Sequence, residues 1–223
     1  MVNSFIFSNE HLIILLIFSL FIYICPKLTN HLLPYSYIVE KIICGLMILE
    51  IVFEQVSLLS MGGYSVSTSL PIDICRFTSY ICIAILLFKQ YQLFNVFFSW
   101  SIVCAIGEII FFKSIPYRFP NVLYVFSVFS KCLIIYANIY LIDVRKFKVN
   151  SSAIKDNFLM CLTYFPFIFL LNKLTSSHYP YVFSNENIIS IILFIILTTL
   201  MYVPTLISSK ENNSYKLKSK NKE

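Results

Sequence analysis

Apolar residues run along this chain in long unbroken blocks separated by short polar punctuation, with no period-two alternation. A helix crossing a bilayer core needs roughly 20 mostly apolar residues, because lipid offers no partner for open backbone groups. Seven blocks approach that length: 11–25, 39–60, 71–88, 93–112, 122–142, 156–173 and 187–207. Pro26 and Pro34 bracket the first connection, Gly62-Gly63 marks the second, and Pro116 with Pro120 marks the fourth. Continuous runs exclude membrane strands, whose signature is alternation. The first and sixth blocks have the shortest uninterrupted apolar cores. The pattern predicts an all-α polytopic membrane helix bundle of about seven transmembrane helices. A single domain is expected over residues 1–207, followed by a disordered basic tail over 208–223.

Composition agrees. Of 223 residues 58% are apolar and 13% charged, whereas soluble domains have about 45–50% and about 25%. Too little polar surface is present to coat a water-facing globule. The formal charge of +6 raises the question of nucleic acid, but the positions of the basic residues answer it. Lys27, Lys89, Arg145, Lys146, Lys148, Lys155 and the five tail lysines fall in connections that seven spans place on one face. Lys113, Arg118 and Lys173 fall on the other. This bias predicts a cytoplasmic C-terminus and an external N-terminus. Membrane lipids are therefore the expected partners, nucleic acid is not, and the expected location is the cell membrane, as a multi-pass protein of a bacterial plasma membrane. The first block lacks a basic leader and a small-residue cleavage site, so no cleaved signal peptide is expected. All seven cysteines lie inside predicted spans, which argues against a disulfide framework. No Cys-x-x-Cys, His-rich or Gly-rich phosphate motif is present, and no metal or cofactor is expected.

Ionisable groups inside spans cost about 2.5–3.5 kcal/mol at the helix centre and mark functional positions by default. Eight occur here: Glu40, Lys41, Glu50, Glu54, Asp73, Arg76, Glu108 and Lys131. Glu40 and Lys41 sit at a cytoplasmic helix end and snorkel to headgroups. With a rise of about 1.5 Å per residue, Glu54, Asp73, Arg76 and Glu108 lie within roughly 10 Å of the external ends of their spans, and Glu50 and Lys131 roughly 14–15 Å down. His11, Asn172, Asn185 and Asn187 add polar groups at the external ends of other spans. Helical phase gathers them into stripes: Glu50 with Glu54; Asp73, Arg76 and Tyr80, the first two spaced for an ion pair; Ser101, Cys104 and Glu108; and Tyr124, Ser127, Lys131 and Asn138. These stripes predict a polar cavity between spans two to five, with four acids facing two bases. Cys75 falls on a different face of span three from Asp73 and Arg76, beside Ser79 and Cys82.

The segment LPIDICRF (70–77) resembles the Leu-Pro-Leu-His-Leu-Cys-Arg-Ile motif of the YwaF-like integral membrane proteins. The likeness continues through the fourth span with Phe98 and Trp100, the segment IPYRFPNVLYVFSVFSKCLIIYANIYLI (115–142), the opening FSNEHLIILL (7–16) and the closing Tyr202-Val203-Pro204. It implies a compact, mostly seven-helix membrane fold. Bacterial members are largely of unknown function. A eukaryotic branch is regarded as a membrane acyltransferase that moves a fatty acyl chain between phospholipids, using a Cys after the Leu-Pro and a His in the fifth helix. In this chain the Cys slot is Ile72, the motif His is Asp73 and the fifth-helix His is Lys131, while Cys75 is shared with the bacterial pattern.

Three readings follow. The first is a lipid-binding or lipid-remodelling membrane protein. As an enzyme it would use Cys75 as nucleophile and Asp73 or Lys131 in proton transfer, with Glu50, Glu54, Arg76, Glu108 and Tyr124 lining the ligand site and Arg76 holding an anionic headgroup. The second is a small proton- or cation-coupled transporter with Glu50, Glu54 and Glu108 carrying the ion and Asp73–Arg76 as a gate. The third is a structural membrane subunit whose polar residues tie helices together.

Overall fold

The computed structural model describes residues 9–30, 35–67, 69–111, 121–182 and 188–204. Among the described residues seven α-helices follow one another: α1 (Asn9–Asn30), α2 (Ser36–Ser60), α3 (Ile74–Phe88), α4 (Phe94–Phe111), α5 (Val122–Asp143), α6 (Ala153–Thr175) and α7 (Ile188–Leu200). A 3-10 turn, Tyr91–Leu93, leads into α4, and no strand occurs among the described residues. Four helical stretches are long and apolar enough to cross a membrane: α2, Tyr91–Ile109, α5 and α6. The apolar parts of α1 (Leu12–Ile24), α3 and α7 are shorter. The tail from 208, the Pro116–Pro120 connection with Lys113 and Arg118, and Asn185 and Asn187 lie outside the described residues.

Several boundaries differ from the hydropathy pattern, among them that of α7, whose regular helix ends at Leu200 instead of 207. α1 runs straight past Pro26 to Asn30. Proline near a membrane helix end removes one donor, and neighbouring groups satisfy what it frees. α3 starts at Ile74, three residues into its apolar block, because Asp73 takes extended backbone and its carboxylate caps the helix, accepting from the Arg76 N–H at 3.0 Å. α6, predicted as one of the two marginal spans, is a full 23 residues and carries Pro166 in its interior. The connections turn sharply: Lys89 after α3 and Ser176 after α6 are in the left-handed region, as is Gly62 after α2.

α4 and α5 form the centre. α4 packs on α3, α5, α6 and α7, while α5 packs on α1, α2, α3 and α4. Of their spanning windows 61% is buried, against 22% for α2 and α6. Buried apolar residues cover most of α4 (Phe94, Val96, Phe97, Trp100, Val103, Cys104, Ala105), as expected for a helix with neighbours on several sides, while Ile106 faces outward. The outer helices present the reverse. α1 exposes Leu12, Ile13, Leu16, Ile17 and Leu20, and α7 exposes Ile188, Ile189, Ile192 and Ile196. An apolar perimeter of this extent is unfavourable in water and natural in lipid.

Trp100 locks the middle. Fully buried, it meets Phe77 of α3, Tyr164 of α6 and Phe194 of α7 with ring centroids 5.3–5.9 Å apart, and its indole N–H donates to Asn157 Oδ1 at 2.7 Å. Asn157 in turn donates to Thr198 Oγ1 at 3.1 Å. One side chain thereby fixes the mutual register of four helices.

Candidate functional site

Because successive helices run in opposite directions, the C-terminal halves of α2 and α4 and the N-terminal halves of α3 and α5 lie at one end of the bundle. The charged side chains converge there. Arg76 of α3 donates from Nε to Glu54 Oε2 of α2 at 2.9 Å. Its two terminal nitrogens pair with the second oxygen of Glu54 and with Asp73. The i,i+3 ion pair therefore forms, and Glu54 closes it into a triad. About one fifth of each of these side chains remains accessible.

The triad stands on a braced turn. The hydroxyl of Tyr80 donates to Pro71 O at 2.9 Å, that of Tyr164 to Ile72 O at 3.0 Å, and that of Tyr179 accepts from Leu70 N at 3.4 Å while donating to Val66 O. Three tyrosines, from α3, α6 and the loop after α6, thus hold the Leu-Pro-Ile-Asp segment that aims the Asp73 carboxylate. None of these braces stands out in sequence, since a tyrosine in an apolar block is indistinguishable from a core aromatic until its hydroxyl finds a carbonyl. Burial raises the Tyr179 hydroxyl above its ordinary pKa.

Deeper in the bundle, Lys131 of α5 pairs with Glu108 of α4 at 3.1 Å and donates to Ser127 Oγ one turn earlier at 3.3 Å. The side chains of this pair are only about a tenth exposed, 10% and 9%. Cys75 lies against it. Buried on that side of α3, Cys75 lies within electrostatic reach of Cys104, Glu108 and Lys131, and Cys104 reaches Thr78 Oγ1 at 3.6 Å. Cys75 does fall on a different face of α3 from Arg76. That face is turned toward α4 and α5, where the second half of the charged cluster resides. Glu50, one turn below Glu54 on α2, is 5% exposed and faces the charges of Lys131, Arg76, Glu54 and Asp73. Tyr124, two turns before Lys131, is fully buried.

Other polar groups serve different purposes. Asn172 closes the loop after α6, accepting from Tyr179 N and donating to Tyr179 O, both at 2.9 Å. Asn138 turns to α4, donating to Phe98 O at 2.9 Å and Ser101 Oγ at 2.6 Å. At the opposite end of the bundle Glu40 is bound by Arg145 at 2.9 Å and by the Tyr140 hydroxyl at 3.4 Å, an anchored pair where the sequence predicted snorkelling. Among the described residues no group of three or more His, Cys, Asp or Glu has the arrangement of a metal site. Cys44, Cys75, Cys82, Cys104, Cys132 and Cys161 are free and buried.

No curated protein and no solved structure matches the chain. A family model covering residues 6–212 does, and that span takes in the braced turn, the triad and the Lys131–Glu108 pair. The chain is a multi-pass membrane protein and belongs to the TMEM164 family.

Proposed function

We propose that the protein crosses the membrane seven times, with its N-terminus outside and its C-terminus in the cytoplasm, and binds the polar head of an amphipathic lipid at the charged cluster in the outer leaflet. The observation that carries this reading is the convergence of six titratable side chains from four helices, with the Arg76 triad partly open and the Lys131 pair enclosed. An arginine has five N–H donors. Glu54 and Asp73 occupy three of them, so two remain for a phosphate or ester oxygen without dismantling the triad. Lipid reaches this end between outward-facing apolar side chains such as Val52 and Val56 of α2. The resemblance to YwaF-like proteins supports the same placement, in a bacterial plasma membrane. The test is to purify the protein from its membrane and weigh the lipids that remain bound. Arg76→Gln is expected to lose most of the retained lipid, and an unchanged lipid complement would overturn the proposal.

The burial of Cys75 within electrostatic reach of Lys131 and Glu108 favours a second reading, in which bound lipid is also remodelled. The Cys75 sulfur would attack an acyl ester carbonyl, the ester C–O bond would break, and the thiol proton would pass by way of Asp73 or Lys131 to the departing alcohol oxygen, leaving a thioester for a second lipid alcohol. Acyl exchange between added lipids should vanish in Cys75→Ala. Full exchange activity in that variant removes the catalytic role.

A further inference from the structure

Both basic side chains of the cluster are already committed. Arg76 is held by Glu54 and Asp73, and Lys131 by Glu108. Glu50 is left over: nineteen-twentieths buried, it has no hydrogen-bond or ion-pair partner among the described residues. The charged groups facing it are Lys131 from α5, Arg76 and Asp73 from α3, and Glu54 from its own helix. Internal rearrangement offers no relief, since swinging Lys131 from Glu108 to Glu50 only transfers the deficit to Glu108. In a low-dielectric interior a carboxylate without a counter-charge is strongly unfavourable.

We propose that Glu50 is the counter-charge for a single positive group brought by the ligand, a deepening that rests on the lipid-binding reading above. The chemistry is that of one monovalent positive charge. A divalent metal does not fit, because it demands a cage of several oxygen ligands and no three-ligand group of His, Cys, Asp or Glu occurs among the described residues. The charge has two possible sources, the amine of a lipid headgroup or a free monovalent ion, and the experiment separates them.

In the first arm the full-length protein in nanodiscs is offered equal amounts of phosphatidylethanolamine and phosphatidylglycerol, which differ in their amine. Wild type is expected to retain the amine-bearing lipid about tenfold over the other, ~1.4 kcal/mol, and Glu50→Gln to retain both equally. In the second arm sodium replaces N-methylglucamine at constant ionic strength while the unfolding midpoint is followed. A sodium-dependent rise in wild type that disappears in Glu50→Gln assigns the charge to a free ion. Glu50→Asp, which keeps the charge, is expected to keep the preference in weakened form, and it serves should Glu50→Gln fold poorly. If neither arm responds to cation while Arg76→Gln still sheds lipid, the inference at Glu50 is overturned and the lipid-binding reading stands. If Arg76→Gln leaves retained lipid unchanged, the lipid-binding reading falls, whatever Glu50 does. A Glu50→Gln protein that is simply more stable, with no cation preference in wild type, also overturns the inference, because the carboxyl then carries its own proton.

Discussion

Asn95 and Glu108 sit at opposite ends of α4, and the polar surroundings they share with neighbouring helices are built differently. Around Asn95 the groups are mostly neutral and fully matched. Its amide donates to Asp156 at 2.6 Å, its carbonyl oxygen accepts from Asn150 N at 3.0 Å, and Tyr202 is within 2.6 Å of Ser99 Oγ and 2.7 Å of Asn95 O. Around Glu108 the groups are charged and acids outnumber bases. Matched dipoles need nothing from outside and set register between helices. In that cluster Glu50 is left without a basic partner among the described residues. The comparison teaches that polarity buried in this bundle is of two kinds, and that the balance of partners separates them better than burial does.

The two ends should therefore fail in different ways. The largest effect belongs to the tryptophan between them. Trp100→Ala is expected to lose about 3–5 kcal/mol, the usual range for truncating a buried aromatic, seen as a lowered unfolding midpoint in detergent. Lys131→Met should come next, at about 3 kcal/mol, since removing one partner of a buried pair strands the other. Adding Glu108→Leu should restore most of that stability while leaving lipid retention impaired; a double variant no more stable than Lys131→Met would contradict the charge-pair account. In the neutral network Tyr202→Phe should cost about 0.6–1.7 kcal/mol, the range for hydrogen bonds between membrane helices, with lipid retention intact. The smallest effect is expected for Arg145→Ala, whose pair with Glu40 is about one-third exposed on the arginine side. A loss of no more than about 1 kcal/mol, shrinking further in high salt, fits such a site.

Much of this architecture is legible in the sequence, because the requirement for long apolar runs leaves the helices little freedom. The charged cluster was legible for the same reason: an ionisable residue within such a run stands out, and helical phase shows which residues share a face. Other features were hidden by physics the linear pattern does not carry. Asp73 reads as a charge within a span, whereas an extended backbone at Asp73 makes it a helix cap that also meets Arg76. Helical phase sets Cys75 on a different face from Arg76, but what lies opposite that face depends on how α4 and α5 pack. Asn95 and Asn157 carry no charge, so nothing in the linear pattern sets them apart, although each sits in or beside an apolar block. Pro26 marks a break in the sequence pattern that α1 runs past.

The six buried thiols have one more consequence. A water-soluble maleimide finds no ready target among Cys44, Cys75, Cys82, Cys104, Cys132 and Cys161, so replacing Cys25 alone should give a silent background for labelling intact cells. Single cysteines at exposed Ser65 and Lys148, at opposite ends of the bundle, would then react from opposite sides of the bilayer and read its sidedness directly.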